Sequence, residues 1–181
     1  MKNIFIGILI LFSNLGFSQV TIGKSTATSP SVSLEFGDEN RGLLLPWVTN
    51  ASAVESPENG TMIYDSEDKK VKVKLVDGWK DLSVNTTGTT IDPLTDIDGL
   101  TIQSSSVNEQ EDAKLTIGDL TESKGILVLE DKNKVMVLPK VYQPHLNIIN
   151  PSPGMMVYDT KDQLLCVFNG KDWAFWKPQE W

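Results

Sequence analysis

The chain repeats itself once, and that repeat limits what it can fold into. Val20-Thr21-Ile22-Gly23 returns as Leu115-Thr116-Ile117-Gly118, and Leu34-Glu35 returns as Leu129-Glu130. A charged turn, Asp38 to Arg41, leads into Gly42-Leu43-Leu44-Leu45-Pro46; its counterpart, Asp131 to Lys134, leads into Val135-Met136-Val137-Leu138-Pro139. Gly60-Thr61-Met62-Ile63-Tyr64-Asp65 is matched by Gly154-Met155-Met156-Val157-Tyr158-Asp159. Each copy closes on a glycine turn and a tryptophan, Asp77-Gly78-Trp79 and Asn169-Gly170-Lys171-Asp172-Trp173. The spacing, about 94 residues, exceeds the roughly 20–50 residues of a solenoid unit and fits two small duplicated domains.

The internal pattern of a copy is that of a strand meander. Val71-Lys72-Val73-Lys74-Leu75-Val76 alternates apolar and charged residues, the period-two signature of a strand with one buried face. The β-forming stretch Gly60 to Tyr64 precedes it, with Asp65 to Lys69 as the intervening turn. Asp77-Gly78 reads as the next turn, because glycine accepts positive φ without steric cost, and Trp79 to Leu82 as the third strand. In the second copy the middle strand is Leu164-Leu165-Cys166-Val167-Phe168, apolar throughout. Both its faces are therefore expected to be covered, by the other copy, another chain or extra core of its own. The fold expected is mainly β: two tandem copies of a small antiparallel module, each ending in a three-strand meander. Val48 to Val54 and Val141 to Ile149 are expected as short helix or loop, since Pro144 excludes a long helix in the second.

The domain plan follows. Residues 1–18 carry one charge, Lys2, then the apolar run Ile4 to Phe12 and small polar residues. This describes a secretory signal peptide, the apolar run being short of the about 20 residues that span a bilayer. The first module takes 19–83, a Thr/Ser/Asp-rich linker 84–113, and the second module 114–181. Localisation is expected as exported, either secreted or on the cell surface, with the periplasm also open. The formal net charge of −8 disfavours nucleic acid, whose phosphates need clustered Lys and Arg. The single cysteine, Cys166, forms no internal disulfide and is expected as a buried thiol.

A search for chemistry finds little. His145 is the only histidine, too few for a conventional zinc site, and no Gly-x-Ser-x-Gly elbow accompanies it. Asp92, Asp96 and Asp98 with Gly99 are oxygen-rich, but the full calcium-loop order and its closing Glu are missing. No cofactor, metal or catalytic residue is expected. The tryptophans are the remaining candidates. Trp79 and Trp173 stand at equivalent places, which favours module core. Trp47, Trp176 and Trp181 have no repeat counterpart and, with Phe175, form the candidate partner contact.

These motifs resemble a module of exported Bacteroidetes proteins, flavobacterial ones especially. Such proteins often begin after the leader with a pattern like Gln19-Val20-Thr21-Ile22-Gly23 and continue with one like Gly42-Leu43-Leu44-Leu45-Pro46. Pro57, Gly60, Tyr64, Gly78 and Trp79 fit the later part of the pattern, while Val135 departs from the motif glycine and Trp47 from the usual basic residue. The module endings also look like the β-rich tip repeats of phage tail fibres. The resemblance implies a non-catalytic structural or adhesive role at a surface. It implies a protein partner there, or self-association, as a homotrimer by analogy with fibres. A carbohydrate-binding module using the exposed tryptophans is the alternative.

Overall fold

The computed structural model describes residues 19–83, 86–101, 113–118 and 122–177. The expected leader 1–18, residues 84–85 and 102–112 of the expected linker, and Trp181 lie outside the described residues. In the first copy the strands are β1 (Val20–Ile22), β2 (Val32–Phe36), β3 (Leu43–Leu44), β4 (Trp47–Val48), β5 (Met62–Asp65), β6 (Lys70–Leu75) and β7 (Gly78–Asp81). The second copy has β8 (Leu115–Gly118), β9 (Leu127–Glu130), β10 (Val135–Val137), β11 (Lys140–Val141), β12 (Met155–Asp159), β13 (Leu164–Phe168) and β14 (Trp173–Trp176). Between β4 and β5 lies a 3-10 turn, Ala51–Ala53, and in the corresponding place α1, Pro144–Asn147. Among the described residues no helix is long and apolar enough to cross a membrane.

Both meanders form as expected. β5, β6 and β7 pair antiparallel in order, as do β12, β13 and β14. The repeat extends to individual backbone bonds. Tyr64 N–H donates to the Pro46 carbonyl and Tyr158 N–H to that of Pro139, both at 2.9 Å. Gly60 N–H donates to Lys74 and Gly154 N–H to Phe168, both at 2.8 Å. Lys69 and Gln163 turn the first hairpin of each meander with the same left-handed φ of 58°. One turn differs from expectation. The loop between β6 and β7 is Val76-Asp77, and Gly78 opens the next strand, carrying the positive φ of 131°.

Most of the remaining pairings are parallel, which strand patterning does not announce. β4 adds to β5 and β11 to β12 in parallel register. β1 lies parallel to β2, and β8 parallel to β9. Two pairings cross between the copies: β10 runs parallel to β2, and β3 antiparallel to β12. The copies are thus joined through their sheets.

One core serves both. Leu45, Tyr64, Val71 and Leu82 of the first copy cluster with Met156 and Val167 of the second, all buried. A second cluster, Val141, Ile148, Val157 and Cys166, sits between the second meander and its own short helix. β13 therefore turns Val167 toward the first copy and Cys166 toward its own module, as its alternating geometry requires. Two of the three coverings weighed for this apolar strand occur, the other copy on one face and its own module on the other. Each fully buried large side chain contributes about 1.5–3 kcal/mol through removal from water.

Candidate assembly interface

The joint between the copies is a socket and a plug. The socket belongs to the first copy: Gly42 to Leu45, Trp47 and Tyr64. The plug is the turn at Gly154, the start of β12 and Asn169. Met155 lies opposite Leu44 and Met156 opposite Leu43. Leu45 N–H donates to the Gly154 carbonyl at 3.1 Å. The Trp47 indole N–H donates to the Pro153 carbonyl at 2.7 Å. The Tyr64 hydroxyl lies 3.1 Å from the Asn169 carbonyl and 3.3 Å from that of Thr89. Tyr64 is fully buried, and this burial pushes its pKa upward. Two glycines permit the approach. A Cβ on Gly42 would stand 2.3 Å from Met155 Cγ, and one on Gly154 would stand 2.8 Å from Tyr64 Cβ.

The start of the expected linker, residues 86–90, packs against this joint, while residues 91–97 are exposed. Thr89 N–H donates to the Asn169 carbonyl at 3.2 Å, and the Asn169 amide donates to the Thr86 carbonyl at 3.1 Å. Thr86 Oγ1 lies 2.7 Å from Asp172 Oδ2. These bonds satisfy polar groups that the joint removes from water.

The socket has a counterpart in the second copy. Met136, Val137, Leu138, Lys140 and Tyr158 line an open, largely apolar recess. These are the repeat equivalents of Leu43, Leu44, Leu45, Trp47 and Tyr64.

The expected contact residues fall as follows. Trp47 lies in the joint, half-buried and 5.1 Å from the Tyr64 ring centroid. Trp176 is half-buried, donates its indole N–H to the Leu82 carbonyl at 2.7 Å and lies under Lys80 Nζ, 5.0 Å from the ring centroid. Phe175 is exposed and meets His145 edge-on at 5.6 Å. Trp47 and Trp176 both pack against the shared core, in which Phe175 takes no part. Trp79 and Trp173 are half-buried, the latter against the second cluster and 5.2 Å from Phe168. The socket as a unit was not read from the sequence, although Gly42 and Tyr64 were already among the repeated motif residues.

The acids serve the backbone. Asp92 Oδ1 accepts from the N–H groups of Leu94 and Thr95, and Asp98 Oδ1 from that of Leu100; these bonds hold both carboxyls below their ordinary pKa. Among the described residues no cluster of His, Cys, Asp or Glu is placed to hold a metal ion. Glu35 accepts from Lys24 at 2.8 Å and from Thr28, and its pKa falls to about 2. Burial pushes the Cys166 thiol up to about 12, so it stays protonated and unreactive at neutral pH.

Asp65 and Asp159 occupy equivalent places but differ. Burial would raise the Asp65 pKa; hydrogen bonds from Lys72 at 2.7 Å and from backbone N–H groups outweigh it and lower the pKa. Asp159 accepts from Gln143 N–H and Lys161 N–H through Oδ1, while its buried Oδ2 has no partner among the described residues. The residue matching Lys72 in that strand is Cys166.

Neither the curated proteins nor the solved structures compared with this chain gave a match. The family model of the phage tail like trimerisation region matches twice, over residues 21–95 and 112–181, one match to each copy. With most of its length matched, the chain belongs to the phage tail like trimerisation family.

Proposed function

We propose that this is a non-catalytic structural protein that self-associates as a homotrimer and serves as part of a larger exported assembly. The observation that carries the reading is the double match to a trimerisation family, one match on each copy of the repeat. The open recess at Tyr158 supports it. An apolar depression rimmed by a sheet edge suits a protein partner better than a reacting substrate. The export component rests on the leader-like residues 1–18.

Size-exclusion chromatography with light scattering tests the reading. A species of three chains, stable on dilution through the micromolar range, is the expected result. A monomer at all concentrations overturns it. A glycan-binding role needs an exposed aromatic face, and Trp47 and Trp176 are both half-buried. Phe175 is the exposed ring among the described candidates.

A further inference from the structure

Each chain makes the socket-and-plug joint once and holds the parts for a second. The unused socket is the recess at Met136, Val137, Leu138, Lys140 and Tyr158. The unused plug is Gly60-Thr61-Met62, which matches Gly154-Met155-Met156 in sequence and in backbone bonding. Gly60 and Gly154 share a left-handed φ, 93° and 85°, yet their surroundings differ. A Cβ on Gly154 would strike Tyr64, whereas a Cβ on Gly60 would meet nothing within 4 Å. The same turn is filled in one copy and open in the other.

The unused halves fit each other by size. In the joint already made, Gly42 leaves room for Met155. In the unused pair the glycine position holds Val135 and the methionine position holds Thr61. Bulk is removed from the plug and added to the socket, so the summed volume is nearly kept, as close packing demands. Polarity follows too. Lys140 stands where Trp47 donates its N–H to a carbonyl, and the ammonium can make the same donation.

A second arm agrees. Within the chain, β2 receives β10 on its edge, giving a three-stranded sheet. The equivalent strand, β9, pairs with β8 alone among the described residues. Leu127 on β9 and Leu44 on β3 are both exposed.

We infer that a second copy of this chain occupies the open socket, head to tail. Thr61 of the neighbour lies opposite Val137 and its Met62 opposite Met136, antiparallel, while the neighbour's β3 adds to β9. The interface is heterologous, so it closes into a ring when the rotation between copies allows. With three chains the ring holds six modules joined by alternating intrachain and interchain copies of one contact. This inference rests on the self-association proposed above and adds which surfaces meet.

The test is a disulfide across the inferred register in the full chain, carrying Thr61→Cys and Val137→Cys together. Opposed antiparallel residues lie about 4.5–5.5 Å apart at Cα, within the roughly 4.4–6.8 Å a disulfide spans. On oxidation the double variant should run as a covalent trimer on a non-reducing gel, with neither single variant doing so. Val135→Arg, at an exposed position, should weaken association at least tenfold with the circular dichroism unchanged. If the unaltered protein is a trimer but the pair does not cross-link and Val135→Arg still assembles, the joint is wrong and the trimer stands. If the unaltered protein is a monomer, the self-association reading falls and the joint with it.

Discussion

The two copies share their strand order, their turn conformations and many backbone bonds, yet their equivalent residues have different surroundings. Tyr64 is sealed beneath the second copy, while Tyr158 lines an open recess. Gly154 is packed against Tyr64, while Gly60 faces open space. Asp65 is paired with Lys72, while Asp159 has a buried oxygen with no partner among the described residues and a thiol where the lysine would be. Duplication supplies one backbone; what each copy touches decides what each residue costs or contributes. The second copy uses the middle strand of its meander to bury apolar surface on both faces, and the first keeps a lysine-bearing, wetter face there.

That asymmetry can be broken in a measurable way. The largest effect belongs to the tyrosines. Tyr64→Ala should cost about 3–5 kcal/mol, the range for deleting a buried aromatic. Tyr158→Ala should cost much less in protein diluted below its association range. Urea denaturation of both variants checks this, and equal losses would mean that the copies are not distinguished at this place. Next is the socket glycine. Gly42→Val should destabilise by about 1–3 kcal/mol through overpacking. Adding Met155→Thr, which installs the second-copy pair in the first-copy joint, should recover part of the loss. Purely additive effects in the double-mutant cycle would show that the two positions do not compensate.

The turn glycines sharpen the comparison further. Gly60→Ala and Gly154→Ala share the left-handed strain of about 1–2 kcal/mol. Only the second adds a clash with Tyr64 Cβ. Thermal melting should therefore show Gly154→Ala lower than Gly60→Ala, and a reversed order would remove the packing argument. The aspartates should then differ in sign. Asp65→Asn weakens the pair with Lys72, whose ammonium keeps Asp68 as a second partner, and should cost about 1 kcal/mol. Asp159→Asn keeps an acceptor for Gln143 and Lys161 and breaks none of the described ion pairs, so it should be neutral or mildly stabilising.

The smallest effect is in acid. The Glu35 pKa falls from 4.5 to about 2 on folding, because Lys24 and Thr28 donate to its carboxylate. A lowered folded value means that its contribution is complete above about pH 4.5 and is lost as the pH falls toward 2. Glu35→Gln should flatten stability against pH in that window and leave the slope near neutrality unchanged; an unaltered acid slope would assign the loss to other groups such as Asp65.

Much of this architecture can be read from local chemistry. The alternation of Val71 to Leu75 announces a strand with one wet face, and Gly60 and Gly154 take the positive φ of turns. The parallel additions of β4 and β11 have no such signature, because two-residue strands carry too few side chains to show a period. The aromatic residues were legible as special positions, but their partners were not. Trp47 bonds to a residue 106 positions away and Trp176 to one 94 positions away. Such contacts leave no mark in the local pattern around either tryptophan.

The amino-acid sequence by itself determined that there are two copies and that each ends in an antiparallel meander, with its turns placed to within a residue, since these depend on residue spacing and on φ preferences within a few positions. The tertiary structure alone decided that the copies share one core, that β3 and β10 cross between them, and that Tyr64 is covered while Tyr158 is open. Those outcomes depend on which faces and edges meet across about 100 residues of chain, and shape and burial at a distance are set by packing rather than by any local propensity.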